Sequence, residues 1–156
     1  AIAARKRHLH RNFQGYTTDS ADALIGFGAS AIGRLPQGFV QNAPDIAGYQ
    51  RAIDRGEPAT VRGLALSAED RLRAAVIERL MCDFSADLEA EADRLGMAVS
   101  LFDADLDRLA QLESDGIVAR RGRLVTVPEA GQPFVRVVAS VFDAHLARAG
   151  RHSAAV

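Results

Sequence analysis

The segment Arg11–Thr18, RNFQGYTT, sets Phe13 between Asn12 and Gln14, with Arg11 before them and Gly15 after. An aromatic face beside amide and guanidinium donors suits a pocket for a flat, polar ligand. A structured loop would use the same residues without one. Downstream, Leu24-Ile-Gly-Phe-Gly-Ala-Ser30 carries Gly26 and Gly28, which point to close backbone approach by a neighbour or a ligand. Adding Gly33 gives Gly-x-Gly-x-x-x-x-Gly, which lacks the dinucleotide-binding spacing and the lysine of a phosphate loop. His8-x-His10 could supply two metal ligands, but no cysteine or carboxylate stands beside them to complete a site. His145 and His152 read as surface residues. Cys82 follows Met81 late in an amphipathic stretch and reads as core rather than as a reactive thiol. No nucleophile–base pair of the kind hydrolases need is visible.

The scaffold that positions these residues is bounded by composition. A chain of 156 residues makes one ordinary domain or two small ones. Apolar residues are 48% of it, but 29 of them are alanine, so the core is thin. The net charge of −1 gives no reason to expect nucleic acid or an anionic membrane as partner. One cysteine excludes an intrachain disulfide, and it cannot alone hold an iron–sulfur cluster or a structural zinc. No apolar run approaches the roughly 20 residues of a membrane span, and the start lacks the apolar region of a secretory signal. A cytoplasmic, reducing setting is the expectation. The excess of arginine over lysine, 18 to 1, reads as GC-rich coding bias. Opening on Ala1 rather than Met, the chain is expected to have been cut from something longer.

Along the chain, residues 1–10 read as the end of a basic helix and 11–18 as an irregular loop. Residues 22–30 read as a short buried strand. Residues 33–44, with two glycines and two prolines, read as loop. A short helix fits 45–55, with Ile46, Tyr49 and Ile53 at helical spacing. The glycine- and proline-bearing stretch 56–66 is a connector. Helical periodicity then takes over. Ser67 and Asp70 fit a capping box, and Leu72, Val76, Ile77, Leu80, Met81 and Phe84 share one face. A second helix fits 86–95 and a third 103–114, each stopped by glycine. Residues 117–127 read as a hairpin around Ala-Arg-Arg-Gly-Arg. Pro133 then opens a last helix whose face is Phe134, Val137, Val138, Val141 and Phe142.

Three helices and a hairpin outline a winged helix, which invites a nucleic-acid reading. Charge opposes it. The third helix carries Asp103, Asp105, Asp107, Glu113 and Asp115 against Arg108, and such a face repels phosphates. Arg120, Arg121 and Arg123 on the wing read as a solvated tip, with an anion or protein contact as the alternative.

RNFQGYTT resembles a signature of the oxygen-independent coproporphyrinogen III oxidases. The likeness continues through Leu24-Ile-Gly-Phe-Gly-Ala-Ser-Ala-Ile32 and Gln41-Asn42. It resumes at Arg62-Gly-x-Ala-Leu-Ser67 and Glu69-Asp70, and ends on Val76-Ile-Glu-Arg-Leu-Met-Cys-Asp-Phe84. Leu112-x-x-Asp-Gly-Ile-Val118 and the hairpin also fit. The resemblance implies a radical enzyme of haem biosynthesis that uses S-adenosylmethionine (SAM). It oxidatively decarboxylates two propionates of coproporphyrinogen III to the vinyls of protoporphyrinogen IX without dioxygen. It implies a four-iron–four-sulfur cluster on Cys-x-x-x-Cys-x-x-Cys, a motif this chain lacks.

The implied architecture is α+β and mostly helical. Residues 1–56 would be the end of a partial (β/α) barrel, 57–66 a connector, and 67–156 a winged-helix-like domain with a small β-hairpin. The missing structural partner would be the N-terminal radical SAM barrel. Ile32 matches a family residue that contacts SAM, although simple barrel packing would explain an isoleucine there equally. Phe13 and Gln14 match active-site residues beside SAM. Arg11, Gly26 and Gly28 are candidates for substrate or ligand contact, Arg11 because guanidinium binds carboxylate bidentately. No catalytic residue and no metal ligand is assigned within the chain, which alone is expected to be inactive. Partners are coproporphyrinogen III and SAM, with no nucleic acid and no membrane. The alternatives are a haem-binding or chaperone-like relative, with His8, His10, His145 and His152 as the axial candidates, and a winged-helix regulator.

Overall fold

The computed structural model describes residues 9–12 and 15–146. The chain divides into two compact units, Asp19–Ser67 and the flanking segments up to Thr18 and from Ala68 onward.

In the flanking unit, β1 (His10–Asn12) and β2 (Gly15–Thr17) form an antiparallel hairpin. His10 therefore stands in a strand rather than at the end of a helix. Residues 1–8, Phe13 and Gln14 lie outside the described residues.

The Asp19–Ser67 unit holds an antiparallel sheet of β3 (Ile32–Leu35), β4 (Gly38–Asn42) and β5 (Thr60–Ala65), in that order. Helix α1 (Ile46–Asp54) connects β4 to β5, and the Asp45 carboxylate caps its start by accepting from Gly48 N at 2.6 Å. Three expectations change here. Residues 33–44 are a hairpin rather than a loop, because Pro36-Gln37 supplies its two-residue turn and Gly38 opens the second strand. The stretch 57–66 carries β5, paired with β4 from Thr60 to Ala65. Residues 22–30, expected to be a strand, pair only at Leu24, which exchanges two 2.8 Å hydrogen bonds with Arg34. Beyond Leu24 the backbone leaves extended geometry, with positive φ at Gly28 (100°) and Ser30 (60°).

The core lies in the flanking unit. Helix α2 (Ala68–Asp83) buries Leu72, Val76 and Leu80 completely. Strand β6 (Ser85–Asp87) follows, then α3 (Leu88–Arg94), capped by Asp87 accepting from Glu89 N and Ala90 N. The expected third helix is two, α4 (Asp103–Arg108) and α5 (Ala110–Ser114), joined where Leu109 N bonds tightly back to Leu106 O. Strands β7 (Ala119–Arg121) and β8 (Leu124–Thr126) form the expected hairpin, and β6 adds on the free side of β8. The last helix is shorter than its periodicity suggests. Pro133 sits in a 3-10 turn over Glu129–Phe134, and α6 spans Val135–Ser140. Phe102 and Phe142 meet edge to face at 5.8 Å in the middle of the core, with Leu88, Leu106, Leu109, Val118, Val125 and Val138 around them.

Candidate functional site

The β1–β2 hairpin is fastened to α2 from both strands. His10 Nδ1 pairs with Glu78 Oε1 at 3.2 Å, and Arg11 N donates to the same oxygen at 3.3 Å. The Tyr16 hydroxyl donates to Met81 O at 3.3 Å, and Arg79 Nη2 to Leu9 O at 3.5 Å. Across the tip, Gly15 N donates to Asn12 Oδ1 at 3.1 Å. The flanks of the RNFQGYTT segment are thus held against a rigid helix. Phe13 and Gln14 lie outside the described residues. Arg11 is exposed.

In the other unit, Gly26, Gly28 and Ile32 come together around one turn. The Asn42 amide donates to Gly26 O at 3.0 Å and to Gly28 O at 3.1 Å. Gly28 N donates to the Tyr49 hydroxyl at 3.1 Å, Gln41 Nε2 to Ser30 O at 3.3 Å, and Ser30 N to Ala43 O at 2.8 Å. The glycines have distinct reasons. A Cβ at Gly26 would lie 2.9 Å from both Ala31 Cβ and Ile32 O, so the close approach there is by the chain itself. Gly28 meets no neighbour, and its φ of 100° is what excludes a side chain. The turn so fixed presents Ile25, 70% exposed, and Phe27, 87% exposed, with Ile32 at 38% on the adjoining strand. Large apolar side chains on a turn tied by five hydrogen bonds form a preorganised contact surface. Sequence reasoning placed Tyr49 on a helix face and Asn42 within the family resemblance, and gave neither a role in fixing this turn. A signal was present, since an amide and a phenol follow the glycine-rich run and such a run leaves carbonyls and N–H groups to satisfy.

The remaining ionisable groups are mostly spent on structure. Arg73 lies between α2 and α4, with Nε on Glu69 Oε1 and Nη1 on Asp105 Oδ2, both at 2.7 Å, and it stacks over Phe102. Burial alone would lower its pKa, but the hydrogen bonds to Glu69 and Asp105 outweigh this and raise it. Arg120 pairs with Glu113 and Arg123 with Asp103, so two of the three wing arginines neutralise helix carboxylates instead of forming a solvated tip. His10 and His145 each face a carboxylate, Glu78 and Asp70, while His8 and His152 lie outside the described residues. Cys82 is 3% exposed, and burial pushes its thiol pKa up to about 11, with the Glu78 charge adding to the effect. Among the described residues no group of His, Cys, Asp and Glu could hold a metal ion, and no helix is long and apolar enough to cross a membrane.

No family model matches the chain. It is 49% identical over 146 residues to the oxygen-independent coproporphyrinogen III oxidase of Bradyrhizobium diazoefficiens, covering 94% of this chain and 32% of that protein. The protein of the same name from Paracoccus denitrificans is 42% identical over 156 residues, which is 100% of this chain and 34% of that one. Among solved structures, coproporphyrinogen III oxidase from Escherichia coli, described as a radical SAM enzyme, superposes with a TM-score of 0.87 at 35% identity, covering 94% of this chain and 34% of that chain. The chain spans about a third of the length of these relatives. Over nearly its whole length, therefore, the chain is homologous to a C-terminal portion of the oxygen-independent coproporphyrinogen III oxidases.

Proposed function

We propose that this chain is the C-terminal part of an oxygen-independent coproporphyrinogen III oxidase, which converts two propionates of coproporphyrinogen III to vinyl groups with SAM as cosubstrate. The observation that carries the proposal is the likeness to the oxidases over 94% of the chain; the turn Gly26–Ser30, tied by Asn42, Tyr49 and Gln41, adds an exposed apolar rim beside Ile32. Ile32 on that rim would press against the adenosyl group of SAM. Phe13 would stack and Gln14 hydrogen-bond beside SAM. Arg11 in one unit, and Gly28 in the other, are candidates for substrate or ligand contact, whereas Gly26 is taken up by the chain's own packing against Ala31 and Ile32. SAM, when bound, supplies the radical that abstracts hydrogen. The residues of this chain bind, orient and exclude water.

A four-iron–four-sulfur cluster does not fit the donors present. The single thiol, Cys82, is buried in the core and held protonated, so the cluster ligands belong outside this chain. The region related to the SAM barrel would run on through β5, because Thr60–Ala65 pairs with β4, and the winged-helix-like part would begin at α2. Acting as part of a cytoplasmic enzyme, the chain would need the N-terminal barrel as its structural partner.

The test is anaerobic turnover by the full-length protein carrying this chain, with SAM, a reductant and coproporphyrinogen III. Formation of protoporphyrinogen IX with two carbon dioxide per substrate is expected. Its absence from protein with a full cluster complement would overturn the proposal. The 156-residue chain alone should give none.

A further inference from the structure

Among the described residues of the unit built on α2, six arginines pair with a carboxylate: Arg73, Arg79, Arg94, Arg108, Arg120 and Arg123. Arg11, Arg121 and Arg136 are not so paired, and Arg11 and Arg136 share one cleft. Neither guanidinium has an ion-pair or hydrogen-bond partner among the described residues, and both line one open cleft of about 210 Å³. The cleft runs between β1, α2 and α6, and Ile77, Met81 and Ala139 form its apolar wall. Two like charges facing one cleft raise its potential, and an apolar wall strengthens whatever an anion gains there.

The other polar groups at the cleft are engaged elsewhere. Ser140 Oγ donates to Val137 O at 2.7 Å. Asp143 Oδ1 accepts the N–H groups of His145 and Leu146 at 2.8 and 3.2 Å, closing the turn after α6. With one carboxylate against two guanidiniums, the cleft keeps a net positive charge.

We propose that Arg11 and Arg136 form a clamp for a carboxylate group. A planar guanidinium matches a carboxylate fork to fork, and two of them in one cleft can take one carboxylate from both sides. The choice of carboxylate rests on the proposed oxidase function, whose substrate and cosubstrate each carry such groups: the propionates of coproporphyrinogen III and the amino-acid end of SAM. Position agrees with this. Arg11 stands two residues before Phe13, on a strand fixed to α2 by Glu78 and His10.

The clamp is tested in the full-length holoenzyme by direct anaerobic binding of coproporphyrinogen III and of SAM, measured separately by equilibrium dialysis. Arg136 is exposed, so Arg136→Gln should fold, and its Tm is recorded beside wild type and Arg136→Lys. The expected result is a ten- to hundredfold weakening of one ligand, with the other and the Tm unchanged and partial recovery in Arg136→Lys. The ligand that weakens identifies the source of the carboxylate. A change below fivefold for both ligands overturns the clamp, as does a loss of both together with a fall in Tm. Turnover by the wild-type preparation separately judges the oxidase assignment, so failure of one leaves the other readable.

Discussion

Asn42 offers a sharp test of how the glycine turn is held. Its amide donates two hydrogen bonds, at 3.0 Å to Gly26 O and 3.1 Å to Gly28 O. Each is worth about 0.5–1.5 kcal/mol net, and a buried acceptor left without a donor costs more than the bond gained. Asn42→Ala should therefore loosen the turn by about 1–3 kcal/mol. Asn42→Asp keeps the shape but replaces two donors with a negative charge facing two carbonyl oxygens. It should cost more than the truncation, although it is the nearer isostere. Hydrogen exchange on the Ser30 amide reads the effect, because Ser30 N is held by Ala43 O at 2.8 Å only while the turn is closed. A local loss of about 2 kcal/mol speeds its exchange roughly thirtyfold, at 1.4 kcal/mol per factor of ten. Amides in α2 should not change. Wild-type exchange in Asn42→Asp would refute the donor assignment, and a milder effect for aspartate than for alanine would refute the ordering.

Four further outcomes concern Arg73, Cys82 and Tyr16. Arg73→Met should destabilise by about 2–4 kcal/mol, below the full cost of an orphaned buried charge because Arg108 still pairs with Asp105. Thermal melting should fall by roughly 6–12 °C, and an unchanged Tm would show the pair to be dispensable. Cys82 should resist iodoacetamide at pH 8 in the native state and react once unfolded, since its raised pKa keeps the thiol protonated. The same shift stabilises the fold fully below pH 9 and loses that stabilisation as pH rises through about 11, so a Cys82→Ala variant should lack this alkaline slope. Tyr16→Phe removes the hydroxyl from Met81 O and should speed amide exchange in β2 about fivefold without moving the global Tm.

The helical unit was legible because its signal is local. Leu72, Val76 and Leu80 recur at helical spacing and are all fully buried, and the hairpin after Gly116 reads directly from its turn residues. The sheet of the other unit was not. Its strands hold glycine, arginine and glutamine, and β5 is exposed along its whole length, so no alternation of buried and exposed positions marks it. Pro36 and Gly38 looked like loop punctuation because a two-residue turn uses the same residues. The site was legible in part. Gly26 and Gly28 announced an unusual backbone, but the groups that fix it, Asn42 and Tyr49, lie 14 to 21 residues away from Gly28. The anchor of the hairpin lies farther still, 68 residues from His10 to Glu78, and pairings at that range leave no periodicity to find. The ion pairs of Arg120 and Arg123, and the lack of a partner for Arg136 among the described residues, are equally three-dimensional facts.

The placement of the sheet unit has a thermodynamic corollary. Asp19–Ser67 is inserted between the β1–β2 hairpin and the helix that fastens it, so it is the loop of a closure of roughly fifty residues. Were that stretch unstructured, closing it would cost on the order of 3 kcal/mol of chain entropy. That is comparable to what the few hydrogen bonds between hairpin and helix return. Folding of the insert removes much of this cost in advance. The hairpin should therefore dock more tightly whenever the insert is ordered.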